Sequence, residues 1–245
     1  MFPDKVTDIN FKIFIDFDGT ITKTDVGEAM FLEYGDPQKA QEIIKEWIDN
    51  KITSVQTWQQ LCETIESLDL NLFDNFISNI EIDKSFIPFV NYCRNANIEL
   101  KILSDGLDYY ISRILKQNGL SEIQFFSNSV SFGENNKPVP SFPHTDEECP
   151  KCANCKRNHI INGSSDEDVT IYIGDGFSDT CPAQYCDFIF AKHSLLKYCE
   201  QNRISYYPYN TFDDVLKVLI ELSKKKRIKK RHQASLKRRD VYLQG

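Results

Sequence analysis

The sequence lacks any long hydrophobic run: no stretch approaches the roughly 18 consecutive apolar residues of a membrane-spanning helix. Its first residues, Met1–Lys5, have neither the basic start nor the apolar stretch of a signal peptide. It also lacks the spread-out cysteine pattern of a secreted disulfide framework, because three of its eight cysteines fall within residues 149–155. These absences predict a soluble cytoplasmic protein. A chain of 245 residues with 41% hydrophobic content can bury a sizeable core.

Acidic residues are absent from one segment, Lys224–Arg239, which holds ten of the 29 lysines and arginines. The rest of the chain carries 19 basic and 36 acidic residues, a net charge of −17. Such an acidic body is a poor nucleic-acid surface, because phosphate contacts dominate that binding. Nucleic acid is therefore an expected partner only through the basic segment. No aromatic residue interrupts the segment, which argues against a base-stacking platform for nucleic acid. We expect a solvated helical extension, or one drawn to the acidic body.

Three short apolar runs end in small or acidic residues, and helical stretches separate them. They are Phe11–Asp16, Ile98–Leu103 and Val169–Ile173. This alternation predicts an α/β protein with a doubly wound parallel sheet, in which ligands bind beyond the carboxyl ends of the strands. Further strands are predicted at 188–190 and 204–207, a strand or hairpin at one edge of the sheet at 123–132, and further helices at 85–96, 107–118 and 212–222.

The long segment between the first two runs has no strand signal. Its apolar residues recur at three- and four-residue spacing, which predicts a small helical bundle. We interpret this bundle as a cap domain, residues 25–83, inserted into a core formed by residues 1–24 and 84–222. A basic tail, residues 223–245, follows the core. Within the cap, helices are predicted at 28–34, 37–50, 54–67 and 70–80.

Two carboxylates, Asp16 and Asp18, follow the first strand two residues apart. One can attack phosphorus as a nucleophile, while the other protonates the leaving oxygen and later activates water. Gly19 permits a tight turn, and Thr20 offers a hydroxyl and a backbone N–H for phosphate oxygens. An acidic turn in which Asp18 caps a helix is the structural alternative.

The other strand ends add groups that suit phosphate chemistry. Ser104 is a neutral donor for a phosphoryl oxygen, and Asp175 and Asp179 add carboxylates at the third strand end. Carboxylates repel phosphate unless a cation intervenes, which predicts Mg²⁺ held by oxygen ligands. The expected ligands are Asp16, Asp175 and the backbone carbonyl of Asp18, with Asp179 in a supporting position.

These motifs resemble the haloacid dehalogenase (HAD) superfamily of aspartate-nucleophile phosphatases. Its four motifs match in order as Asp16–Thr20, Ser104, a downstream lysine and Gly174–Asp179. The second aspartate of the first motif is the superfamily's mark of phosphatase or phosphomutase chemistry. The resemblance implies a Rossmann-like core and an aspartyl-phosphate intermediate. The helical insertion resembles the cap of the phosphoserine phosphatase branch.

The resemblance narrows to the methionine-salvage branch, the 2-hydroxy-3-keto-5-methylthiopentenyl-1-phosphate phosphatases. It is carried by Asp16–Thr22, Phe142–His144, the cysteine cluster that ends at Lys156, and Phe190–Lys192. The branch's lysine follows the last cysteine, which favours Lys156 as the phosphate-binding lysine. Where the branch has Ser-Gly-Gly, this chain has Ser-Asp-Gly, so the reaction class is the firmer expectation. The other basic candidates for that position are Lys137, Lys151 and Arg157.

The cysteine cluster, Cys149, Cys152 and Cys155 with His159, has the spacing Cys-x2-Cys-x2-Cys-x3-His. Three thiols and an imidazole can supply a tetrahedral zinc site. All the ligands come from one short segment, so reduced structural thiols and a redox-sensitive disulfide remain alternatives. A zinc ion here would organise the loop before the lysine and take no part in catalysis.

Together these features predict a Mg²⁺-dependent phosphomonoesterase acting on a small phosphorylated metabolite. The branch resemblance makes 2-hydroxy-3-keto-5-methylthiopentenyl-1-phosphate the first expected substrate. Phosphoethanolamine, phosphocholine and phosphoserine are alternatives within the class. An alternative of another class is a non-catalytic module that binds nucleic acid through a zinc loop and the basic tail.

Overall fold

The computed structural model describes residues 9–147 and 149–244. The first eight residues of the predicted core, with the stretch Met1–Lys5, lie outside the described residues. In chain order the regular elements are β1 (Phe11–Ile15), α1 (Val26–Tyr34), α2 (Pro37–Ile48), α3 (Ser54–Glu63), α4 (Leu70–Ser78), α5 (Phe86–Asn95), β2 (Glu99–Leu107), α6 (Asp108–Gln117), β3 (Gln124–Phe132), β4 (Pro138–Ser141), α7 (Lys156–Asn162), β5 (Val169–Gly174), β6 (Phe188–Ala191), α8 (His193–Gln201), β7 (Tyr207–Pro208), α9 (Phe212–Ser223) and α10 (His232–Gln244).

The chain divides into two compact units. The first unit contains residues up to 16, 82–101 and 156 onward, and the second contains 17–81 and 102–155. Strand β2 contributes its beginning to the first unit and its remainder to the second. The predicted boundaries of the cap, core and tail stay a prediction.

The first unit is built on a parallel sheet. Its strand order is β2-β1-β5-β6-β7, and β5 pairs in parallel with both β1 and β6. All six residues of β5 are buried, as expected for a central parallel strand covered on both faces. The predicted α/β fold class with a parallel sheet is therefore confirmed. The predicted strands at 11–16, 98–103, 169–173 and 188–190 are confirmed as β1, β2, β5 and β6.

The second unit contains α1–α4, α6 and the sheet order β4-β3-β2, in which β3 and β4 are antiparallel. Acidic residues separate its helices for a physical reason. The side chains of Asp25, Asp36 and Asp69 accept backbone N–H groups in the first turns of α1, α2 and α4. These are N-caps, which satisfy donors that a helix leaves without partners. The predicted helices of the insertion are confirmed as α1–α4.

Two strands differ from the sequence prediction. Strand β4 was not predicted, because Pro138 and Pro140 have no backbone N–H and read as turn residues. Strand β7 covers only Tyr207 and Pro208 instead of residues 204–207. The predicted strand at 123–132 is confirmed as β3, whose pairing with β4 makes it a hairpin.

The basic segment ends in helix α10, which packs within the first unit. Ala234 is fully buried, and Arg238 forms a buried ion pair with Asp187 at 3.3 Å. The Tyr242 hydroxyl donates to the Ile161 carbonyl at 3.1 Å. Of the two expectations for this segment, attraction to the acidic body is the one that the structure shows. None of the helices within the described ranges is long and apolar enough to cross a membrane.

Candidate active site

Asp16 directly follows β1 and is almost fully buried, with 5% of its surface exposed. Its backbone N–H donates to the Ile173 carbonyl at 2.9 Å, one residue beyond the last paired position of β1 and β5. The buried strand therefore carries a carboxylate to the carboxyl edge of the sheet. Ligands bind at this edge in α/β proteins.

The loop after β5 is folded around Asp179, whose surface is fully buried. Its Oδ2 accepts the backbone N–H groups of Asp175 and Gly176, each at 2.9 Å. Its Oδ1 accepts the Tyr172 hydroxyl at 2.5 Å. The spacing of the two aspartates is thereby explained: Asp179 shapes the loop that places the half-buried Asp175 after the strand.

Lys156 begins helix α7, and only 3% of its side chain is exposed. Its Nζ donates to Asp16 Oδ1 at 2.6 Å, to Asp179 Oδ1 at 2.8 Å and to Ser178 Oγ at 3.1 Å. A buried ammonium group needs such partners, because an unpaired buried charge costs several kcal/mol. The structure therefore brings the predicted lysine together with two predicted carboxylates, whereas the alternative Lys151 is exposed.

Asp16, Asp175 and Asp179 could together hold a metal ion, because each offers an oxygen within 4.8 Å of the others. In the part of the chain that the structure describes, no other group of three His, Cys, Asp or Glu side chains meets this condition. Three ionised carboxylates and the Lys156 ammonium carry a net charge of −2, which fits a hard divalent cation with oxygen ligands. Each carboxylate oxygen of Asp179 already accepts two hydrogen bonds, which fits the predicted supporting position of this residue beside the metal ligands.

Within the second unit, the side chain of Asp18 accepts three hydrogen bonds. The Val26 backbone N–H donates to Oδ1 at 3.2 Å, and the hydroxyls of Ser104 and Tyr110 donate to Oδ2 at 3.0 and 3.1 Å. Desolvation, with a smaller contribution from the charge of Asp25, raises the pKa of Asp18 to about 7, although the three donors oppose this shift. A carboxyl group with a pKa near neutrality can both donate and accept a proton, as acid–base catalysis requires.

The turn after Asp18 depends on Gly19, whose φ of 70° lies in the left-handed region that favours glycine. Its N–H donates to the Thr22 hydroxyl at 3.1 Å. The predicted tight turn is therefore present. Thr20 is buried in this turn and its N–H donates to the Phe17 carbonyl at 3.3 Å, so its phosphate-binding part stays a prediction.

The cysteine loop contains no disulfide, because all eight cysteines of the chain are thiols. Neither Cys149, Cys152 and Cys155 nor His159 belongs to a potential metal-holding group of the described residues. The backbone N–H of Cys155 donates to the His144 carbonyl at 2.8 Å. No three of the predicted zinc ligands therefore lie close enough to hold a metal ion here, and the zinc hypothesis stays a prediction. Backbone hydrogen bonding contributes to the organisation of the loop.

Sequence reasoning missed three hydroxyl groups that contact the predicted site residues. Tyr110 donates to Asp18, while Tyr172 and Ser178 contact Asp179 and Lys156 respectively. A signal existed for the tyrosines, since a buried tyrosine hydroxyl usually requires a hydrogen-bond partner. Tyr110 follows Ser104 closely in the sequence, and Tyr172 lies just before the Gly174–Asp179 motif. The sequence does not indicate which residues their hydroxyl groups contact.

The fold and this site define a class: the HAD phosphatases, with acidic side chains and a buried lysine at the edge of a parallel sheet. Solved structures support the fold. A phospho-aspartyl intermediate analogue of phosphoserine phosphatase is similar with a TM-score of 0.66 at 18% identity, covering 86% of this chain and 99% of that chain. A HAD family hydrolase from Salmonella enterica serovar Typhi has a TM-score of 0.69 at 16% identity, covering 89% and 73%.

The family is shown by sequence. The protein-family model described as "Putative Phosphatase" matches residues 11–208. A relative from Bacillus mycoides (strain KBAB4), named 2-hydroxy-3-keto-5-methylthiopentenyl-1-phosphate phosphatase, is 32% identical over 220 residues, 87% of this chain and 98% of the relative. A relative of the same name from Bacillus cereus (strain B4264) is 30% identical over 223 residues, with 87% and 99% covered. The chain belongs to this phosphatase family, which confirms the predicted enzyme class.

Proposed function

We propose that this phosphatase hydrolyses a small phosphate monoester through a covalent intermediate on Asp16. One observation carries the proposal: Asp16 lies beside the buried ammonium of Lys156 at the end of β1, and Asp175 follows the neighbouring strand. In the first step a carboxylate oxygen of Asp16 attacks phosphorus. The bond from phosphorus to the leaving oxygen breaks, and its electron pair goes to that oxygen.

Asp18 supplies the proton that the leaving alcohol takes up. The carboxylate that results then removes a proton from a water molecule, whose oxygen attacks the aspartyl-phosphate. This second step releases inorganic phosphate and restores both carboxyl groups to their starting states. The pKa of about 7 supports the assignment, because Asp18 can then hold a proton before the first step and release it during that step.

Three groups would hold the phosphate oxygens: Lys156, the Ser104 hydroxyl and Thr20. Asp16, Asp175 and the Asp18 backbone carbonyl would hold Mg²⁺, which when bound offsets the repulsion between the carboxylates and the phosphate. The contacts of Asp179 with the Lys156 ammonium and the loop N–H groups support a positioning part for this residue.

The proposed substrate is 2-hydroxy-3-keto-5-methylthiopentenyl-1-phosphate. The names and near-complete coverage of the Bacillus relatives support it. A comparison of kcat/KM with phosphoethanolamine, phosphocholine and phosphoserine tests the proposal. We expect the salvage substrate to exceed each competitor at least about tenfold, a transition-state preference of about 1.4 kcal/mol. A competitor whose kcat/KM is higher by the same factor would replace the proposed substrate. The cytoplasmic location of the protein stays a prediction.

Removal of divalent metal is expected to abolish phosphate release. The reason is that the charge of −2 on the Asp16, Asp175, Asp179 and Lys156 group otherwise repels the substrate. Activity on an aryl phosphate, measured after EDTA treatment and again with added Mg²⁺, checks this. Full activity in EDTA would contradict the metal assignment.

Metal analysis of the purified protein tests the zinc hypothesis. The hypothesis requires one bound zinc ion per chain in the unmodified protein and none in the Cys152→Ser variant.

A further inference from the structure

Tyr110 contacts the proposed acid–base residue but has no part in the mechanism above. It lies in the first turn of α6 and its surface is fully buried. Its hydroxyl donates to Asp18 Oδ2 at 3.1 Å. A buried phenol hydroxyl that donates its single hydrogen bond to a carboxylate fixes the orientation of that carboxylate.

The two oxygens of Asp18 have different surroundings. Oδ2 accepts two hydroxyl donors, Ser104 at 3.0 Å and Tyr110 at 3.1 Å. Among the residues that the structure describes, Oδ1 accepts a hydrogen bond from the Val26 N–H alone, at 3.2 Å. The Tyr110 proton still points at Oδ2 when the Ser104 hydroxyl holds a phosphate oxygen, so we expect a protonated Asp18 to carry its proton on Oδ1.

Gly106 provides the space in which this arrangement forms. A Cβ atom at this position would lie 1.8 Å from the Tyr110 hydroxyl oxygen and 2.7 Å from Asp18 Oδ2. Both distances are far below van der Waals contact. Any larger residue must therefore displace the phenol, the carboxylate or both, and the Tyr110–Asp18 hydrogen bond depends on a glycine.

We propose that Tyr110 is a positioning residue that makes Asp18 Oδ1 the proton-transferring oxygen. The inference rests on the proposed function, in which Asp18 is the general acid. As the bond from phosphorus to oxygen breaks, the leaving oxygen takes the proton from Oδ1. The negative charge left on Asp18 is then stabilised at Oδ2 by the Tyr110 hydroxyl, while the Ser104 hydroxyl turns to the phosphate oxygen that it holds in the proposed function.

This position predicts a dependence on the leaving group. An alkyl alcohol leaves as a strong base and needs the proton, whereas p-nitrophenolate leaves without one. The ratio kcat/KM reports the steps up to the departure of the leaving group. Substitution of a residue that only supports the fold would lower kcat/KM for both substrates alike. Substitution of a residue that positions the proton would lower kcat/KM selectively for the alkyl phosphate.

The test compares Tyr110→Phe with Tyr109→Phe on an alkyl phosphate and on p-nitrophenyl phosphate. Tyr109 is a matched control, because it is the adjacent tyrosine and its hydroxyl donates to Asp74 at 2.9 Å. We expect Tyr110→Phe to lower kcat/KM about 10- to 100-fold on the alkyl ester, and less than about threefold on the aryl ester. Tyr109→Phe should leave both values unchanged.

Gly106→Ala provides an independent variant, and the same selective loss is expected from it. Asp18→Asn separates the inference from the function on which it rests. Suppose that Asp18→Asn lowers kcat/KM selectively on the alkyl ester, while Tyr110→Phe lowers kcat/KM on both esters equally or on neither. The inference about Tyr110 is then overturned. If Asp18→Asn shows no leaving-group dependence, the proposed acid part of Asp18 fails, and the inference about Tyr110 fails with it.

Discussion

Replacement of Asp16 by asparagine is expected to lower kcat at least about 10⁴-fold. An amide cannot form the acyl-phosphate bond that the proposed first step requires. The side chain keeps nearly the same volume in its buried position, so the fold should survive. Lys156 also keeps an ionic partner, since Asp179 lies 2.8 Å from its ammonium group. Circular dichroism and the thermal unfolding midpoint should match those of the unmodified chain.

Rapid acid quenching with a ³²P-labelled substrate distinguishes loss of the nucleophile from loss of the metal. The unmodified chain should trap labelled phosphate on protein, and Asp16→Asn should trap none. Asp175→Asn is the matched control, because it removes a proposed metal ligand and leaves Asp16 in place. It is expected to label slowly but measurably. Labelling of Asp16→Asn would show that a different residue is the nucleophile.

The site residues at the strand ends were predictable, because the carboxyl ends of the strands in a parallel sheet all lie at one edge. Each buried apolar run ends at the same edge, so Asp16 and the Gly174–Asp179 loop had to lie near one another. Lys156 required more than pattern, since most lysines are solvated. Its prediction came from the resemblance to a known family, and its burial beside Asp16 could not be read from spacing.

The side-chain partners within the site could not be predicted in the same way. Ser104 was predicted to bind phosphate, and here its hydroxyl donates to Asp18. Tyr110 occupies a helix position that reads as ordinary core. Which oxygen of a carboxylate accepts which hydroxyl depends on rotamers and on the space left at Gly106. These are properties of the folded chain, and periodicity carries no information about them.

The basic tail shows how net charge can conceal a specific contact. Sequence reasoning treated residues 224–239 as one charged run, but its members have different environments. Arg239 is exposed, whereas the side chain of Arg238 is only 3% exposed and donates to the Tyr185 carbonyl at 2.5 Å. Its partner, Asp187, also accepts the Thr170 backbone N–H at 3.0 Å. Charge counting cannot separate these neighbours, because burial decides their energies.

Arg238→Ala is expected to lower the free energy of unfolding by about 3–5 kcal/mol. The substitution leaves the Asp187 carboxylate, whose side chain is 0% exposed, without its buried charge partner. Arg239→Ala, an exposed neighbour in the same helix, should change the free energy by less than about 0.5 kcal/mol. Urea unfolding followed by circular dichroism measures both values.

A double-mutant cycle then identifies the source of the loss. If the uncompensated carboxylate causes it, Asp187→Asn combined with Arg238→Ala should be destabilised by less than the sum of the two single variants. Additive losses would instead mean that Arg238 stabilises α10 through its contacts with Tyr185 and Thr170 alone. Equal stability of Arg238→Ala and Arg239→Ala would show that α10 does not depend on this ion pair. The tail would then be a solvated extension, the other of the two expectations from its sequence.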